Sequence, residues 1–327
     1  NDPLLGFFVG WIRVLAEKFD VVEVICLGVG AYSLPSHVTV RSLGKERGFS
    51  KLRYLWRFYR FFSTGYKDAE YVFFHMGAIM NVLAFPFFIL SRFSGPKFVW
   101  WKAHGHINWF GRLASVGVDE VVTSTASGYP IDTSKRRIIG QAIDTDLFTF
   151  DPAVTRDEKH VVFVGRLMPI KQLEVFVDVA RALESHGYTF SVIGPVGDEA
   201  YCAGLRQSAA DTNIAWLGSR TQMELVEVYQ TAGVFLNTSL THSMDKTVLE
   251  AILCGCIPLT ANRAFASMLG PHGLYTKTQS AEQYQTIITG LGADPRTDIR
   301  TRLRAEVMKE HSLLTLPDRI FTVSSQI

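Results

Sequence analysis

Four cysteines in 327 residues (Cys26, Cys202, Cys254 and Cys256) form neither a CxxC pair nor a zinc spacing. That argues against a disulfide-stapled or zinc-bound fold. The cysteines read as small buried residues of a reducing compartment, so the expected location is cytoplasmic, free or at the inner face of the membrane. Net charge is also scarce: a formal +2 is close to balance and gives no case for nucleic acid as a partner. Long apolar runs are missing. The longest, residues 78–90, is interrupted by Asn81 and Pro86 and falls short of the ~20 residues a membrane-crossing helix needs. No GxGxxG follows any candidate strand, which argues against a nicotinamide-dependent oxidoreductase, and no short-period repeat is visible.

What is present is globular in composition, 47% hydrophobic and 20% charged. The length suits two domains of roughly 150 residues rather than one core. Short apolar runs alternate with amphipathic ones along the whole chain, which predicts βα units and mostly parallel sheets. In the first half, strands are expected at 21–27, 38–43, 71–75, 98–102, 121–125 and 137–142, with helices at 6–19, 50–62, 78–93 and 107–116. In the second half, strands are expected at 160–164, 189–193, 214–217, 234–237 and 257–260. Helices there are expected at 171–186, 199–210, 222–232, 246–253 and 281–291, followed by two closing ones near 296–310 and 313–323. Residues 144–159 are charged, Pro-containing and aperiodic, and read as an interdomain linker. The expected domains are therefore 1–150, 151–310 and a terminal helix 311–327. A helix-like segment begins almost at Asn1, so the first strand of the amino-terminal domain is expected to lie outside this chain.

The most informative stretch is 234–259, VFLNTSLTHSMDKTVLEAILCGCIPL. It orders a strand, a polar loop, a helix and a second strand, with the loop opening at the carboxyl edge of a sheet. The helix starts among Ser243, Asp245 and Thr247, so its free N–H groups and positive dipole end face the loop and suit phosphate. Glu250, one and a half turns deeper, is placed to accept from vicinal hydroxyls such as a ribose diol. Three further turns end strands in this half. In VGRL, Gly165 allows a tight turn while Arg166 and Lys171 supply two cations for a diphosphate. The others are VIGP with Gly194, and WLG with Leu217. Together they point to a nucleotide-sugar site.

In this order the motifs GRLMPIK, SVIG, WLG and SLTHSMDKTVLEAILCGCIPL resemble those of the family 4 retaining glycosyltransferases, and the resemblance covers nearly the whole chain. IIGQAIDTDLF and the closing Glu310-His311-Ser312 look like the family's linker entry and terminal helix. The resemblance implies the GT-B fold: α/β, two Rossmann-like parallel-sheet domains facing across a cleft, the terminal helix crossing back to the first. It implies hexose transfer from a UDP- or GDP-linked sugar to a saccharide or lipid-linked acceptor with retention. It also implies that no metal or other cofactor is needed, the nucleotide sugar being a co-substrate. By the same resemblance Arg166 and Lys171 hold the diphosphate, Thr247 and Val248 offer backbone N–H groups to it, Glu250 meets the ribose and Leu217 lies near the base. One departure stands out: where the family has the first of two glutamates, this chain has His242. An imidazole cannot copy a carboxylate that accepts two hydroxyls; Ser243 or Asp245 are the residues able to recover part of that contact.

In the first domain, WKAHGH ends a strand, and the resemblance implies a histidine beside the donor sugar. His104 is preferred because Gly105 frees the loop to approach ligand; His106 is second, and His75 ends another strand. Gly6 resembles the glycine loop that lies under donor or acceptor. Residues 51–62, KLRYLWRFYRFF, interleave Lys51, Arg53, Arg57 and Arg60 with aromatics, which suits a peripheral contact with an anionic lipid surface. The alternative is a core-packed helix with its cations in water. For the whole chain, the alternative to an enzyme is a non-catalytic GT-B nucleotide-binding or scaffold protein, which His242 motivates; a GT-B epimerase would need acid and base residues not evident here.

Overall fold

The structure is a computed structural model that describes residues 8–241 and 243–321. Gly6 and His242 lie outside the described residues. The chain divides into two compact units, one formed by residues up to Gly140 together with those from Leu313, the other by Gln141–Ser312.

In the first unit, α1 (Phe8–Ala16) leads into β1 (Val22–Cys26) and β2 (Val38–Ser42), which pair in parallel with each other. Then follow α2 (Lys51–Gly65), β3 (Tyr71–His75), α3 (Ala78–Ser91), β4 (Lys97–Trp101), α4 (Trp109–Val116), β5 (Glu120–Thr123) and β6 (Arg136–Ile138). The last four strands form a second parallel ladder in the order β3-β4-β5-β6. Ser50 starts α2 by accepting from the Arg53 N–H, and Asn108 starts α4 by accepting from Gly111 N–H, as polar caps should. Phe58, Phe62, Phe88 and Ala114 of these helices are buried over Phe74, Phe98 and Trp100 of the sheet.

The second unit holds β7 (Asp157–Val164), α5 (Leu173–Leu183), β8 (Thr189–Ile193), α6 (Glu199–Ser208), β9 (Ile214–Gly218), α7 (Gln222–Thr231), β10 (Ala232–Asn237), α8 (Lys246–Leu253) and β11 (Ile257–Thr260). Three helices follow: α9 (Ala266–Leu269), α10 (Ala281–Gly290) and α11 (Ala293–His311). The parallel sheet runs β11-β10-β7-β8-β9, so the strand order reverses beside β7, between it and β10. In α5 the buried Leu173, Phe176, Val177, Ala180 and Leu183 recur at helical spacing, and Phe176 meets Phe163 and Phe190 of the sheet edge-on. Burying each such phenyl contributes about 1.5–3 kcal/mol. Finally α12 (Leu316–Ile320) returns to the first unit, where Phe321 packs on Phe19 and Tyr71.

Several expectations need correction. Residues 144–159 do not form a free linker, because Phe148 is buried in the second unit's core and β7 already begins at Asp157. Lys171 does not open a helix: a 3-10 turn ends at it, Gln172 takes a left-handed φ of 47°, and α5 starts only at Leu173. The parallel strands of the first unit form two ladders among the described residues rather than one sheet.

Candidate functional site

The reversal of strand order brings the carboxyl ends of β7 and β10 together, and the polar residues that follow them meet there. Lys171, after β7, extends its Nζ to Asp245 Oδ1 at 3.0 Å and Ser239 Oγ at 3.3 Å. The second carboxylate oxygen of Asp245 accepts from Asn237 Nδ2 at 3.0 Å, and Thr238 Oγ1 donates to the Lys171 carbonyl at 2.6 Å. Lys171, which follows β7, is therefore held across the switch point by residues that follow β10. An anion that reached Lys171 would compete with Asp245 for it.

Asp245 is the N-cap residue of α8 but makes no side-chain cap, because its carboxylate is turned to Lys171 and Asn237. The amino end of the helix thus keeps its positive dipole end uncovered by its own cap. The opposite end is closed: Arg304 donates to Leu253 O, Arg156 to Cys254 O and Arg300 to Gly255 O. Cations at the carboxyl end and an open amino end are the arrangement that favours an anion at the latter.

Two side-chain amides set the loop before α8. Asn262 Nδ2 donates to Ser243 O at 2.9 Å, and Gln141 Nε2 donates to Met244 O at 3.0 Å. A trans peptide is planar, so fixing a carbonyl aims the next N–H the opposite way. The Met244 and Asp245 N–H groups are therefore directed away from Asn262 and Gln141. Gln141 is itself fixed, its backbone N–H donating to His311 Nδ1 at 2.9 Å at the end of α11.

The glycine turns are built by close backbone approach. Gly165 N–H donates to Ile193 O, and Gly194 N–H donates to Gly218 O. Gly194 has a φ of 146°, and a Cβ there would stand 1.9 Å from the Gly165 carbonyl oxygen. The glycine that demands conformational freedom is therefore Gly194, whereas Gly165 has no left-handed φ and serves by its small size. Arg166 is exposed, its stem lying over Gly197, and Leu217 is exposed on the neighbouring turn.

Deeper in α8, Glu250 is buried, 9% exposed, beside the Lys246 ammonium and the Tyr229 hydroxyl. Burial pushes its carboxyl above the ordinary range, and the Lys246 charge opposes that push; burial in turn pulls Lys246 below the ordinary lysine range. Val248 N–H donates to Asp245 O at 3.3 Å, closing the first turn, and Thr247 lies half-buried before it. Cys254 and Cys256 flank a glycine with φ 86° that ends α8, and burial pushes both thiols up to about 12, which leaves them inert.

In the first unit, the β3 and β4 ends form a second polar edge. His75 is register-paired with Trp101 and packed by the rings of Phe8 and Trp11. The next residue, Met76, takes a left-handed φ of 60°; its N–H donates to Trp101 O, and its sulfur accepts from Ala103 N–H. Met76 and Gln172 are the non-glycine positive-φ residues among those described, and they follow His75 and Lys171 directly. Backbone strain of that kind clusters at ligand-binding edges. His104 Nδ1 accepts from His106 N–H at 3.3 Å. Partial burial, then the charges of Lys102 and His106, hold its imidazole below the usual histidine range, so at neutral pH it is uncharged with its proton on Nε2. His106 is exposed in the same loop. The described residues contain no group of three or more His, Cys, Asp or Glu able to hold a metal ion.

Sequence reasoning missed Lys246, Asn237, Ser239, Gln141 and Asn262. Lys246 was signalled by its i,i+4 spacing to Glu250 at a helix start. Gln141 and Asn262 donate to backbone carbonyls, a role that leaves no mark in the residue pattern.

Comparison with known proteins agrees with this geometry. Residues 158–294 match the family Glycosyl transferases group 1. D-inositol 3-phosphate glycosyltransferases of Mycobacteroides abscessus and Corynebacterium jeikeium are similar at 31% identity over 140 residues and 28% over 172. These alignments cover 38% and 46% of this chain and 31% and 41% of the relatives, so the chain spans less than half the length of the curated relatives it matches. Among solved structures, Anabaena HepE in complex with UDP and glucose superposes with a TM-score of 0.74 at 16% identity, covering 99% of this chain and 97% of that one. The fold is therefore that of the GT-B glycosyltransferases, α/β with two Rossmann-like parallel-sheet domains.

Proposed function

We propose that this protein is a glycosyltransferase that moves a hexose from a nucleoside diphosphate sugar, UDP- or GDP-linked, to a saccharide or lipid-linked acceptor with retention of configuration. The observation that carries the reading is Lys171, held at the strand-order reversal by Ser239 and Asp245 in front of the open amino end of α8. A diphosphate entering there meets the helix dipole, the Met244 and Asp245 N–H groups, Lys171 and the exposed Arg166. The charge that develops on the β-phosphate as the C1–O bond breaks is stabilised by these groups, so metal is not required. The acceptor oxygen forms the new bond to C1 on the same face, and its proton passes to the departing phosphate. Glu250 receives the ribose hydroxyls, with the Lys246 charge beside it opposing the upward push of burial on its carboxyl, and Leu217 borders the base. The complex of HepE with UDP and glucose supports a uridine donor as the first to test. His104, neutral and carrying its proton on Nε2, would offer a donor to a sugar hydroxyl. The expected lipid contact of residues 51–62 belongs with a membrane-borne acceptor.

A second reading, a nucleotide-binding scaffold without turnover, is favoured by His242 in place of the family's first glutamate. Incubation with UDP-, GDP- and ADP-hexoses and mixed saccharide or lipid-linked acceptors, with NMR of the product anomer, separates the two. Turnover with retention, lost in Arg166→Ala and Glu250→Ala, supports transfer. Nucleotide binding without release of sugar from any donor would favour the scaffold, and an inverted product would overturn retention.

A further inference from the structure

The helices over the first unit's sheet have a one-sided charge pattern. Between Glu70 and Asp119 the sequence contains no acidic residue but includes Arg92, Lys97, Lys102 and Arg112, and α2 carries Lys51, Arg53, Arg57 and Arg60 with no acid. The three helices α2, α3 and α4 form one layer. Their inner side chains share one core, and Phe87 of α3 touches Tyr59, Phe62 and Tyr66, tying α3 to α2. The small Gly117 at the end of α4 admits the ring of Phe85, tying α4 to α3.

The outer side of this layer is apolar where a water-facing layer is polar. Leu52 and Trp56 on α2, Leu90 on α3, Phe93 just beyond it, and Trp109 and Leu113 on α4 are exposed, Leu52 by 80% and Phe93 by 96%. A helix apolar all round, as α3 is along AIMNVLAFPFFILS, is ordinarily covered on every side. Arg53, Arg60, Arg92 and Arg112 are exposed among these residues. Arg57 is not one of them, because its guanidinium is turned inward onto Ser42 O at 2.8 Å.

We propose that the outer face of α2, α3 and α4 is a docking surface for an anionic lipid bilayer. Tryptophan and phenylalanine rings suit the interface depth of a bilayer, and arginines interspersed among them suit lipid phosphates. Charge decides between this occupant and a second copy of the chain, since two such faces would bring only cations together. The surface enlarges the single-helix contact expected from residues 51–62 to a layer of three helices. It is inferred without reference to glycosyl transfer, so binding is read with no donor present.

The experiment is co-sedimentation of the full chain with phosphatidylcholine vesicles and with vesicles holding about one third phosphatidylglycerol. Binding is expected only to the anionic vesicles, with a blue shift in tryptophan emission and weakening as salt rises. Leu52→Ser with Trp56→Ser, and separately Trp109→Ser with Leu113→Ser, should each weaken binding about tenfold, as should Arg53→Gln with Arg60→Gln. If only the α2 pair matters, the three-helix surface is wrong. Absence of binding to anionic vesicles overturns the proposal outright. So does a concentration-dependent dimer in sedimentation velocity that the same serines abolish, since a second copy would then cover the face. Unchanged melting temperature and nucleotide binding in the variants show that they remain folded.

Discussion

Four arginines of the second unit turn inward, whereas four on and beside α2, α3 and α4 of the first are exposed. Arg156, Arg296, Arg300 and Arg304 all end on backbone carbonyls or on Glu158, and Lys171 ends on Asp245 and Ser239. In the first unit Arg53, Arg60, Arg92 and Arg112 are exposed among exposed Leu, Trp and Phe. Sixteen of the twenty-two large hydrophobics exposed among the described residues belong to that unit, although it has fewer residues than the second. Fixed donors around one open helix end suit a small anion that must be held in one geometry. A broad face of exposed cations and rings suits a surface that has no single geometry. The same alternation of strand and helix thus serves two kinds of recognition, and the difference lies in where the charges finish.

The comparison can be broken most forcefully at Gly194. With a Cβ 1.9 Å from the Gly165 carbonyl, Gly194→Ala cannot be accommodated without moving β7 or β8. We expect a loss of about 3 kcal/mol or more, read as a melting temperature lower by roughly 6–12 °C. An unchanged melting curve would show that the glycine turns are not tightly built.

Lys171→Ala comes next. It removes the cation and leaves the Asp245 carboxylate facing incoming phosphate, so donor affinity should fall by about 3 kcal/mol, some 100-fold. The double variant Lys171→Ala, Asp245→Asn should recover part of that loss in a competition assay with nucleotide. A smaller effect is expected of Gln141→Leu and Asn262→Leu. Each frees one loop carbonyl and should raise the donor KM about tenfold, as loss of a buried hydrogen bond does, while the acceptor KM stays unchanged. Equal damage to both KM values would mean that the amides stabilise the unit rather than aim the N–H groups.

The smallest effect concerns His104. Its folded-state pKa lies below the ordinary histidine value of about 6.5, chiefly through burial. The unfolded chain therefore binds the proton more readily. Any stability that neutral His104 contributes is complete above about pH 6.5 and is lost as pH falls toward the folded-state value. An NMR titration should place its midpoint below 6.5, and Lys102→Gln should raise it; a rise above 6.5 in the native protein would reverse the sign.

Much of this was legible in the sequence because strands buried on both faces leave unbroken apolar runs. The span 246–253 of α8 and the spans of β3, β8 and β11 were readable to the residue from those runs and their polar starts. Lys171 was misplaced onto a helix because the left-handed Gln172, which ends the 3-10 turn, leaves no mark in an apolar period. Residues 144–159 read as a linker because charged residues and Pro152 outnumber the one side chain, Phe148, that decides their burial. Gln141 and Asn262 were invisible since they bond to carbonyls, which every residue has. The outer face of α3 and α4 escaped notice because apolar helices are ordinarily core, and only their exposure shows otherwise.

The most direct test of the central claim, that the second unit holds a nucleoside diphosphate at the amino end of α8, is calorimetric titration of the chain with UDP, GDP and ADP. The account predicts one-to-one binding of one of these nucleotides, weakened about 100-fold by Lys171→Ala. Absence of binding by all three, in a protein with a normal melting curve, would contradict it.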